Sequence, residues 1–375
     1  MDFDFSDDQQ QLRDAVSRWV DKAYTFERRR AITEAGGFDR TAYGELAELG
    51  LTGLCVPGDH GGMDMGPVDA MVVMEELGRG LVMEPLAQTL AASVVLSQFA
   101  PADLQAAWLP SIASGEALVA LAHQERKARY KLTVCEAKAA SAQGGYTVTA
   151  TKNMVAAGDQ AQAWLVPAML DGESGPEMAL FLVQAGAAGV STAGHVCQDG
   201  SRAANLTLAN TPAQLVTRDG LAALELATDV GLTALCAEAV GVMDKTFALT
   251  AEYLNTRKQF GVLISSFQAL RHRLADMKMQ LELARSMSYY ATLKMGAPAA
   301  ERHLAVARAK VQLGQSMRFV GQQAVQLHGG IGVTDEYIVS HCFKRLTQME
   351  MTLGDSLHHL GVVSEGMQET AGVFA

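Results

Sequence analysis

The spacing of hydrophobic residues changes twice along this chain of 375 residues. Up to about Leu118, apolar residues recur three or four apart, as in LRDAVSRWV and DAMVVMEELGRGL, which is typical of amphipathic helices. From about Val119 the apolar runs become short and partly alternating, as in EMALFLVQ and ANLTLAN, which indicates strands. From about Gly220 the helical spacing returns. This order of patterns predicts an α+β fold in which β structure separates two helical segments.

We therefore predict three domains: an N-terminal α-helical domain at 1–118, a middle β domain at 119–219 and a C-terminal helical bundle at 220–375. The middle segment has no helical stretch long enough for parallel crossovers, so we expect a small antiparallel sheet or barrel. Near the C-terminus, apolar residues spaced by seven, four, three and seven predict one face of a long helix that ends at Gly329 and Gly330. These residues are Val306, Leu313, Met317, Val320 and Leu327.

The charge balance is acidic, with 30 Lys and Arg against 41 Asp and Glu and a net charge of -11. Nucleic-acid binding needs a basic surface, so a general role of that kind is disfavoured. A local basic pocket for a phosphorylated small molecule stays open. The sequence shows no uninterrupted apolar run of about 18 residues, so we expect no membrane-spanning segment.

Cysteine usage and the N-terminus predict a cytoplasmic location. The five cysteines are odd in number, widely scattered and never in a CxxC pair, which suggests neither a disulfide framework nor a zinc site. The N-terminal stretch MDFDFSDDQQQ is acidic and lacks the basic and apolar regions of a signal peptide. The histidines near the C-terminus form no HxxxH or HExxH spacing, so we predict no metal site. They are His328, His341, His358 and His359.

Two motifs are suited to hold a pyrophosphate. In RKQFGVLISSFQALRHRLADM, Arg257 offers a charged fork for phosphate oxygens, and Gln259 and Gln268 add neutral donors. In QLHGGIGVTDEY, Gly329 and Gly330 permit close approach of the backbone. Taken singly, either motif could be a helix end closed by a glycine cap. Their joint occurrence in this architecture favours the binding interpretation.

Together with ELAELGLTGLCVPGDHGG and VVMEELGRGL, these motifs resemble the acyl-CoA dehydrogenase family over nearly the full length of the chain. The family consists of flavoproteins that oxidise the α,β bond of an acyl-CoA thioester. The sequence motif RLTxxxxTxGD near the C-terminus also resembles a short branch of the family, the pimeloyl-CoA-dehydrogenase-like small subunits. Members of this branch occur with a larger homologous chain. The resemblance implies a helical N-terminal domain, a small β domain and a C-terminal four-helix bundle.

The resemblance also implies an FAD cofactor and an oligomer. In the family, the arginine motif and the glycine motif embrace the ADP half of FAD, partly across a subunit interface. A homodimer, a homotetramer or a heterotetramer with a larger homologue is therefore expected, with an electron-transfer flavoprotein as acceptor. The cofactor-binding residues implied in these motifs are Arg257, Gln259, Phe260, Gln268, Gln326, Gly329 and Gly330.

The catalytic base of the family is absent from its usual positions. Family members remove the α-proton with a glutamate in a YEGT-like turn, because the base must be ionised and within reach of the carbon acid. Counting from Gly354, that position is Leu353. Some branches place the base at the start of the preceding long helix, but the matching residue is Gly231, and Leu232 replaces the arginine that commonly follows.

The middle domain departs from the family as well. The loop that resembles the family's TEPGxGSD reads HQERKARYKL, which keeps Glu125 but loses the Pro and Gly. The segment that faces the flavin ring reads TATKNMVAAG, which keeps Lys152 and places Met154 and Ala156 where the family has an aromatic and a hydroxyl residue. Met154 is therefore a further candidate for contact with the flavin.

Two aspartates lie near the empty positions. Asp355 lies two residues past Leu353, and Asp229 lies two residues before Gly231. On a turn, a side chain two residues away can still point in a similar direction. On a helix, a shift of two residues rotates the side chain by roughly 200°. Asp355 is therefore the candidate base and a candidate contact of the cofactor; the alternative is a turn or helix-cap acid near FAD.

Three functions are consistent with this pattern. The first is a complete FAD-dependent acyl-CoA dehydrogenase whose base has moved to Asp355. The second is a subunit without a base, in a heteromer whose homologous partner supplies the glutamate. The third is a protein of the same fold that binds a CoA ester or flavin for other chemistry.

Overall fold

The computed structural model describes residues 5–172 and 175–371, and its elements follow the predicted order. Six helices come first, then seven strands, and long helices return from Gly220. The first helices are α1 Asp7–Ala23, α2 Phe26–Glu34, α3 Arg40–Glu48, α4 Pro67–Arg79, α5 Leu86–Phe99 and α6 Ala102–Ala113. The strands are β1 Val119–Leu121, β2 Lys138–Ala142, β3 Gly145–Ala156, β4 Ala163–Gly172, β5 Gly175–Gln184, β6 Val190–Val196 and β7 Arg202–Thr217.

The C-terminal region is helical apart from one short hairpin. Its elements are α7 Gly220–Thr256, β8 Lys258–Gln259, β9 Val262–Leu263, α8 Gln268–Leu293, α9 Ala299–His328, α10 Ile338–Met351 and α11 Ser356–Ala371. All five residues of the predicted apolar stripe lie on α9 and are buried, and α9 ends directly before Gly329. The prediction of this helix and its end is confirmed.

The strands close into a barrel. Around the ring, β4 pairs with β2, β2 with β3, β3 with β7, β7 with β5, and β5 again with β4. Most pairs are antiparallel, as predicted, but β1 and β2 both pair in parallel with β4. They lie one after the other along the same edge of β4, because the chain leaves that edge after β1 and returns to it at β2.

The chain divides into two compact units. One contains residues 1–29, 67–82 and 232–375, and the other contains residues 30–66 and 83–231. The first unit has a core of α7, α8, α9 and α10 residues, and the second has one core inside the barrel and one between the barrel and its helices. The three domain limits predicted from the sequence stay a prediction.

Helix α7 combines great length with an apolar composition. Within the described part of the chain, it alone is long and apolar enough to pass a test for a membrane span, which the sequence analysis did not anticipate. Its best window has a mean hydropathy of 1.5, yet 94% of that window is buried inside the protein. A helix apolar on all sides is expected when protein surrounds it. The composition of α7 is therefore explained by its place in the core.

Candidate active site

The two predicted phosphate motifs meet at one end of the helical unit. The ring of Tyr253, in the last turns of α7, stacks on the ring of His328 at the end of α9, with 4.5 Å between centroids. Arg257 follows one turn after Tyr253, and its N–H donates to the Tyr253 carbonyl at 2.9 Å. Gly329 and Gly330 follow His328 directly. The stacking therefore brings the Arg257 and glycine motifs to the same end of the bundle.

Gln259 and Phe260 lie on a tight hairpin. Gln259 pairs with Val262, and the two residues between them, Phe260 and Gly261, have φ of 53° and 79°. Positive φ at both central residues is the geometry of a two-residue hairpin turn of type I′. Phe260 is 91% exposed at the tip of the hairpin, and its ring lies edge-on to the ring of Phe267 with 6.2 Å between centroids. The hairpin presents an aromatic ring outward.

The other residues predicted for the ADP half of FAD are accessible. Gln268 begins α8, Gln326 lies in the last turn of α9, and both are exposed. Gly329 has φ of +64°, and a Cβ built on Gly329 or Gly330 would meet no atom within 4 Å. A phosphate group can therefore approach this backbone closely. An exposed arginine fork and an open glycine backbone at one end of a bundle fit an FAD pyrophosphate.

We expect Arg257→Ala to lower FAD occupancy, because a pyrophosphate without this cation loses a charge-assisted hydrogen bond worth about 1.5–3 kcal/mol. This corresponds to about a tenfold to hundredfold weaker Kd, which fluorescence titration of the apoprotein with FAD measures. Arg271→Ala is the matched control, since Arg271 is also exposed near the start of α8 and its Nε donates to the Ser265 carbonyl at 2.6 Å. An unchanged FAD affinity in Arg257→Ala contradicts the assignment.

The turn at Leu353, the predicted base position, has an unusual backbone. Leu353 has φ of +55° and Gly354 has φ of +111°. The left-handed region is uncommon for a branched side chain, so this conformation must be imposed by its surroundings. The Leu353 side chain packs, partly buried, against the core of the helical unit. The turn that the sequence resemblance predicts as the base position holds an aliphatic side chain.

Asp355 acts as the cap of the last helix. Its Oδ1 accepts a hydrogen bond from the N–H of His358 at 2.8 Å, and its carbonyl accepts from the N–H of His359 at 3.1 Å. This is the N-cap arrangement, in which an aspartate satisfies a free N–H in the first turn. Asp355 is therefore a helix-cap acid, and its place near FAD stays a prediction. Its use as a base stays a prediction.

A buried lysine donates hydrogen bonds to the backbone that leads into this turn. Lys310, on α9, donates from Nζ to the carbonyls of Met349, Glu350 and Thr352 at 2.8, 3.0 and 2.9 Å. These carbonyls belong to the end of α10, where a cation is favourable to the helix dipole. Burial lowers the pKa of Lys310 to about 8, although nearby acidic groups oppose this. Lys310 thus fixes the backbone directly before Leu353.

Two further side chains close the same turn. Oε1 of Glu350 accepts from Oγ of Ser356 at 2.8 Å and from its N–H at 3.1 Å. Nε2 of His359 lies 3.0 Å from the Leu353 carbonyl, and because a carbonyl only accepts, this nitrogen carries the proton. Burial and the Lys310 charge lower the pKa of His359 to about 3, so the ring is neutral. Hydrogen bonds from three side chains therefore surround the turn at Leu353.

Sequence reasoning missed Lys310, although the sequence contains a signal for it. Lys310 lies four residues after Val306 and three before Leu313, and therefore on the apolar face predicted for α9. Its side chain is fully buried there. A lysine in an apolar stripe needs a buried acceptor, so its position alone could have indicated a structural contact.

The alternative base position lies inside α7. Gly231 and Asp229 are both buried, and α7 is continuous through them. A shift of two residues on a helix turns the side chain by roughly 200°, so Asp229 points away from the direction of position 231. Asp229 is therefore not aligned with the position that some branches use.

Met154 lies at an irregularity of the barrel. Strand β3 changes register with β7 between Lys152 and Val155, and Met154 within this bulge has φ of 54°. Its side chain is 44% exposed, so a ligand can reach it. A β-bulge often changes the direction in which a side chain points. The contact of Met154 with flavin stays a prediction. Among the residues described, no group of three or more His, Cys, Asp and Glu could hold a metal ion.

Comparisons with known proteins establish the family. The acyl-CoA dehydrogenase N-terminal domain model matches residues 6–116, and the C-terminal domain model matches residues 218–368. The chain belongs to the acyl-CoA dehydrogenase family. The members of this family bind FAD, and the fold, the cofactor and the flavoprotein class that the sequence predicted are thereby confirmed.

Individual relatives match over nearly the whole chain. Acyl-CoA dehydrogenase FadE27 of Mycobacterium tuberculosis is 29% identical, covering 99% of this chain and 100% of its own. The solved ChsE4-ChsE5 complex of the same organism is 28% identical with a TM-score of 0.88, covering 100% of both chains. A variant of the Tcur3481-Tcur3483 steroid ACAD is 30% identical with a TM-score of 0.89, covering 97% of this chain and 99% of that chain.

Proposed function

We propose that this chain is the subunit that lacks the catalytic glutamate in a heteromeric, FAD-dependent acyl-CoA dehydrogenase. A homologous partner chain supplies the carboxylate that removes the substrate α-proton, while this chain supplies interface and FAD contacts. FAD held by these contacts would supply the acceptor for the hydride that leaves the substrate β-carbon. The observation that supports the proposal is the turn at Leu353. An aliphatic side chain lies at the position that the sequence resemblance assigns to the base, and Asp355, two residues on, caps a helix.

Relatives built from two chains support a partner. The names of two similar solved structures, the ChsE4-ChsE5 complex and the Tcur3481-Tcur3483 steroid ACAD, each join two proteins. By analogy, we propose that this chain forms a heterotetramer with a larger homologue. We also propose that an electron-transfer flavoprotein is the electron acceptor. A similar solved structure, 25% identical with a TM-score of 0.90, is named for the electron transferring flavoprotein of Acidaminococcus fermentans. A carrier of that kind accepts the electrons.

The surface of the helical unit supports a partner as well. Large apolar side chains on the hairpin and on α8 are exposed, although patches of this kind are usually covered in an assembly. They are Phe260, Val262, Leu263, Phe267, Met279, Leu283 and Leu293. The five cysteines are free thiols, which fits the cytoplasm as the proposed location.

Replacing Asp355 by asparagine distinguishes a subunit that lacks the base from a complete dehydrogenase that uses Asp355 as its base. Asparagine caps a helix as well as aspartate does, so the variant removes the charge and keeps the fold. We expect Asp355→Asn to leave FAD content and the bleaching of flavin by acyl-CoA unchanged in the assembled heteromer. The measurement is anaerobic visible absorbance with a panel of acyl-CoA esters, on the wild type and the variant. Loss of bleaching in the variant would instead assign the base to Asp355.

The chain expressed alone provides the complementary test. Under the proposal, it shows no bleaching with any ester, and bleaching appears when a homologue with the YEGT-type glutamate is added. Full bleaching by the isolated chain would overturn the proposal, since the chain would then be a complete dehydrogenase.

A further inference from the structure

The glycine segment, residues 329–335, needs support from its neighbours. Three of its first four residues are glycines, and a glycine backbone loses more conformational entropy than any other when it is fixed. Contacts that fix such a backbone before a ligand arrives therefore strengthen binding. At the start of the segment, the ring of His328 lies between those of Tyr253 and Tyr337, with centroids 4.5 and 5.2 Å away. Packed rings thus hold one end of the segment.

A histidine on α10 holds the other end. Nε2 of His341 lies 2.9 Å from the Asp335 carbonyl, and Nδ1 lies 3.1 Å from Nη1 of Arg29. A carbonyl only accepts and a guanidinium only donates, so Nε2 carries the proton and Nδ1 accepts. One neutral tautomer satisfies both contacts. The ring of Phe26 also packs against this imidazole, with 5.1 Å between centroids. His341 therefore connects the glycine segment to Arg29.

Arg29 is a buried arginine on α2. Its side chain is 1% exposed, whereas that of Arg30, the next residue, is exposed. Nε of Arg29 donates to the Leu81 carbonyl at 3.1 Å, while Nη1 donates to His341. The guanidinium is planar and its donors point in fixed directions, so the bond to Leu81 also sets the direction of Nη1. Arg29 thus fixes the ring of His341 in place.

The charged groups around His341 determine when this connection exists. Burial lowers the pKa of His341, and the charges of Arg29 and Lys344 lower it further, whereas the carbonyl and the carboxylate of Asp335 act to raise it. The ring is therefore neutral at neutral pH. A protonated ring has no lone pair to offer and would face the guanidinium as a second cation. The bond from Arg29 to His341 is present at neutral pH and is lost as the pH falls through the pKa of His341.

We propose that Arg29 is a positioning residue for FAD: through His341, it holds the glycine segment in the conformation that binds the pyrophosphate. In this role Arg29 needs no contact with the cofactor. The inference rests on the proposed assignment of the glycine segment to FAD, which Arg257→Ala tests separately. It requires FAD affinity to fall at low pH, because protonation of His341 releases the end of the segment.

The first test is fluorescence titration of the full-length apoprotein with FAD between about pH 5 and 8, where histidines titrate. The Kd of the wild type is expected to weaken about threefold to tenfold towards low pH, as one buried hydrogen bond is lost. His341→Gln is the decisive variant, because its amide oxygen accepts from Arg29 and its amide N–H donates to Asp335 without titrating. Its Kd should change less than about twofold over the same range.

The second test removes the arginine. Arg29→Met should weaken FAD binding about threefold to tenfold at neutral pH. It should also speed hydrogen exchange in peptides that cover residues 326–340, measured by mass spectrometry without FAD. Arg30→Met is the matched control, because Arg30 is an exposed arginine on the same helix. Neither its FAD affinity nor its exchange should change.

The outcomes separate the possibilities. A pH-dependent Kd in the wild type that disappears in His341→Gln supports the proposal. A Kd that is independent of pH in the wild type, or the same pH dependence in both proteins, overturns it. Unchanged FAD affinity in a folded Arg29→Met also overturns it; if that variant does not fold, the comparison of the wild type with His341→Gln decides. If Arg257→Ala alone weakens FAD binding, the FAD site stands and only the positioning role fails.

Discussion

Leu353→Glu is expected to create substrate-driven flavin bleaching in this chain's own site. The turn keeps the backbone that Lys310, Glu350 and His359 impose, so we expect the new carboxylate at the position that the sequence resemblance assigns to the base. A positioned general base contributes about 10²–10⁴-fold to the rate. The measurement is stopped-flow absorbance of the heteromer, assembled with a partner whose own glutamate is replaced by glutamine so that only the new base can act.

Leu353→Gln is the control for this prediction. Glutamine has the shape of glutamate but cannot take the proton, so its heteromer should remain unbleached. Glutamate and glutamine at this position both retain the left-handed φ of 55°, so the backbone strain is the same in the two variants. If Leu353→Glu binds FAD fully and still fails to bleach with esters that the wild-type heteromer oxidises, the turn alone does not define a catalytic site in this chain.

Lys310→Ala is expected to cause the largest loss of stability. The substitution leaves three buried carbonyls at the end of α10 without their donor and creates a cavity beneath the turn. Unsatisfied buried groups cost about 1–3 kcal/mol each, partly relieved by water, so the free energy of unfolding should fall by about 3–5 kcal/mol. Chemical denaturation followed by circular dichroism measures this change.

Lys294→Ala is the matched surface control. Lys294 pairs with Glu301 at 2.6 Å on an exposed surface, and such pairs contribute about 0–1 kcal/mol. If Lys310→Ala is no more harmful than Lys294→Ala, the three hydrogen bonds do not hold the turn. The FAD content of Lys310→Ala at a temperature where it stays folded then shows whether the turn also matters for the cofactor.

The sequence predicted the layout of the molecule because hydrophobic spacing is a local signal. The change at Val119 and the return of helix at Gly220 correspond closely to the start of β1 and of α7. The apolar stripe on α9 could be predicted because its residues recur at helical spacing and all pack into the core. Motif resemblance then identified the glycine and arginine segments, whose left-handed turn and open backbone the structure displays.

The contacts that build the base position were not predictable in the same way. The three carbonyls that Lys310 binds lie 39 to 42 residues away in sequence, and no local pattern encodes which acceptors a lysine meets. The parallel pairing of β1 and β2 with β4 depends on where a loop departs, which alternation of residue types does not specify. Asp355 as a helix cap was foreseen as an alternative, but choosing it required the distance to His358.

The exposed aromatic hairpin also affects how the protein is made. A copy newly released from the ribosome carries Phe260 almost wholly in water, with further apolar side chains on α8 beside it in sequence. Surfaces of this kind are recognised by chaperones and proteases and promote aggregation until they are covered. The cellular amount of this chain should therefore follow the supply of the molecule that covers the hairpin, so that copies made in excess are degraded and the two are kept in fixed proportion.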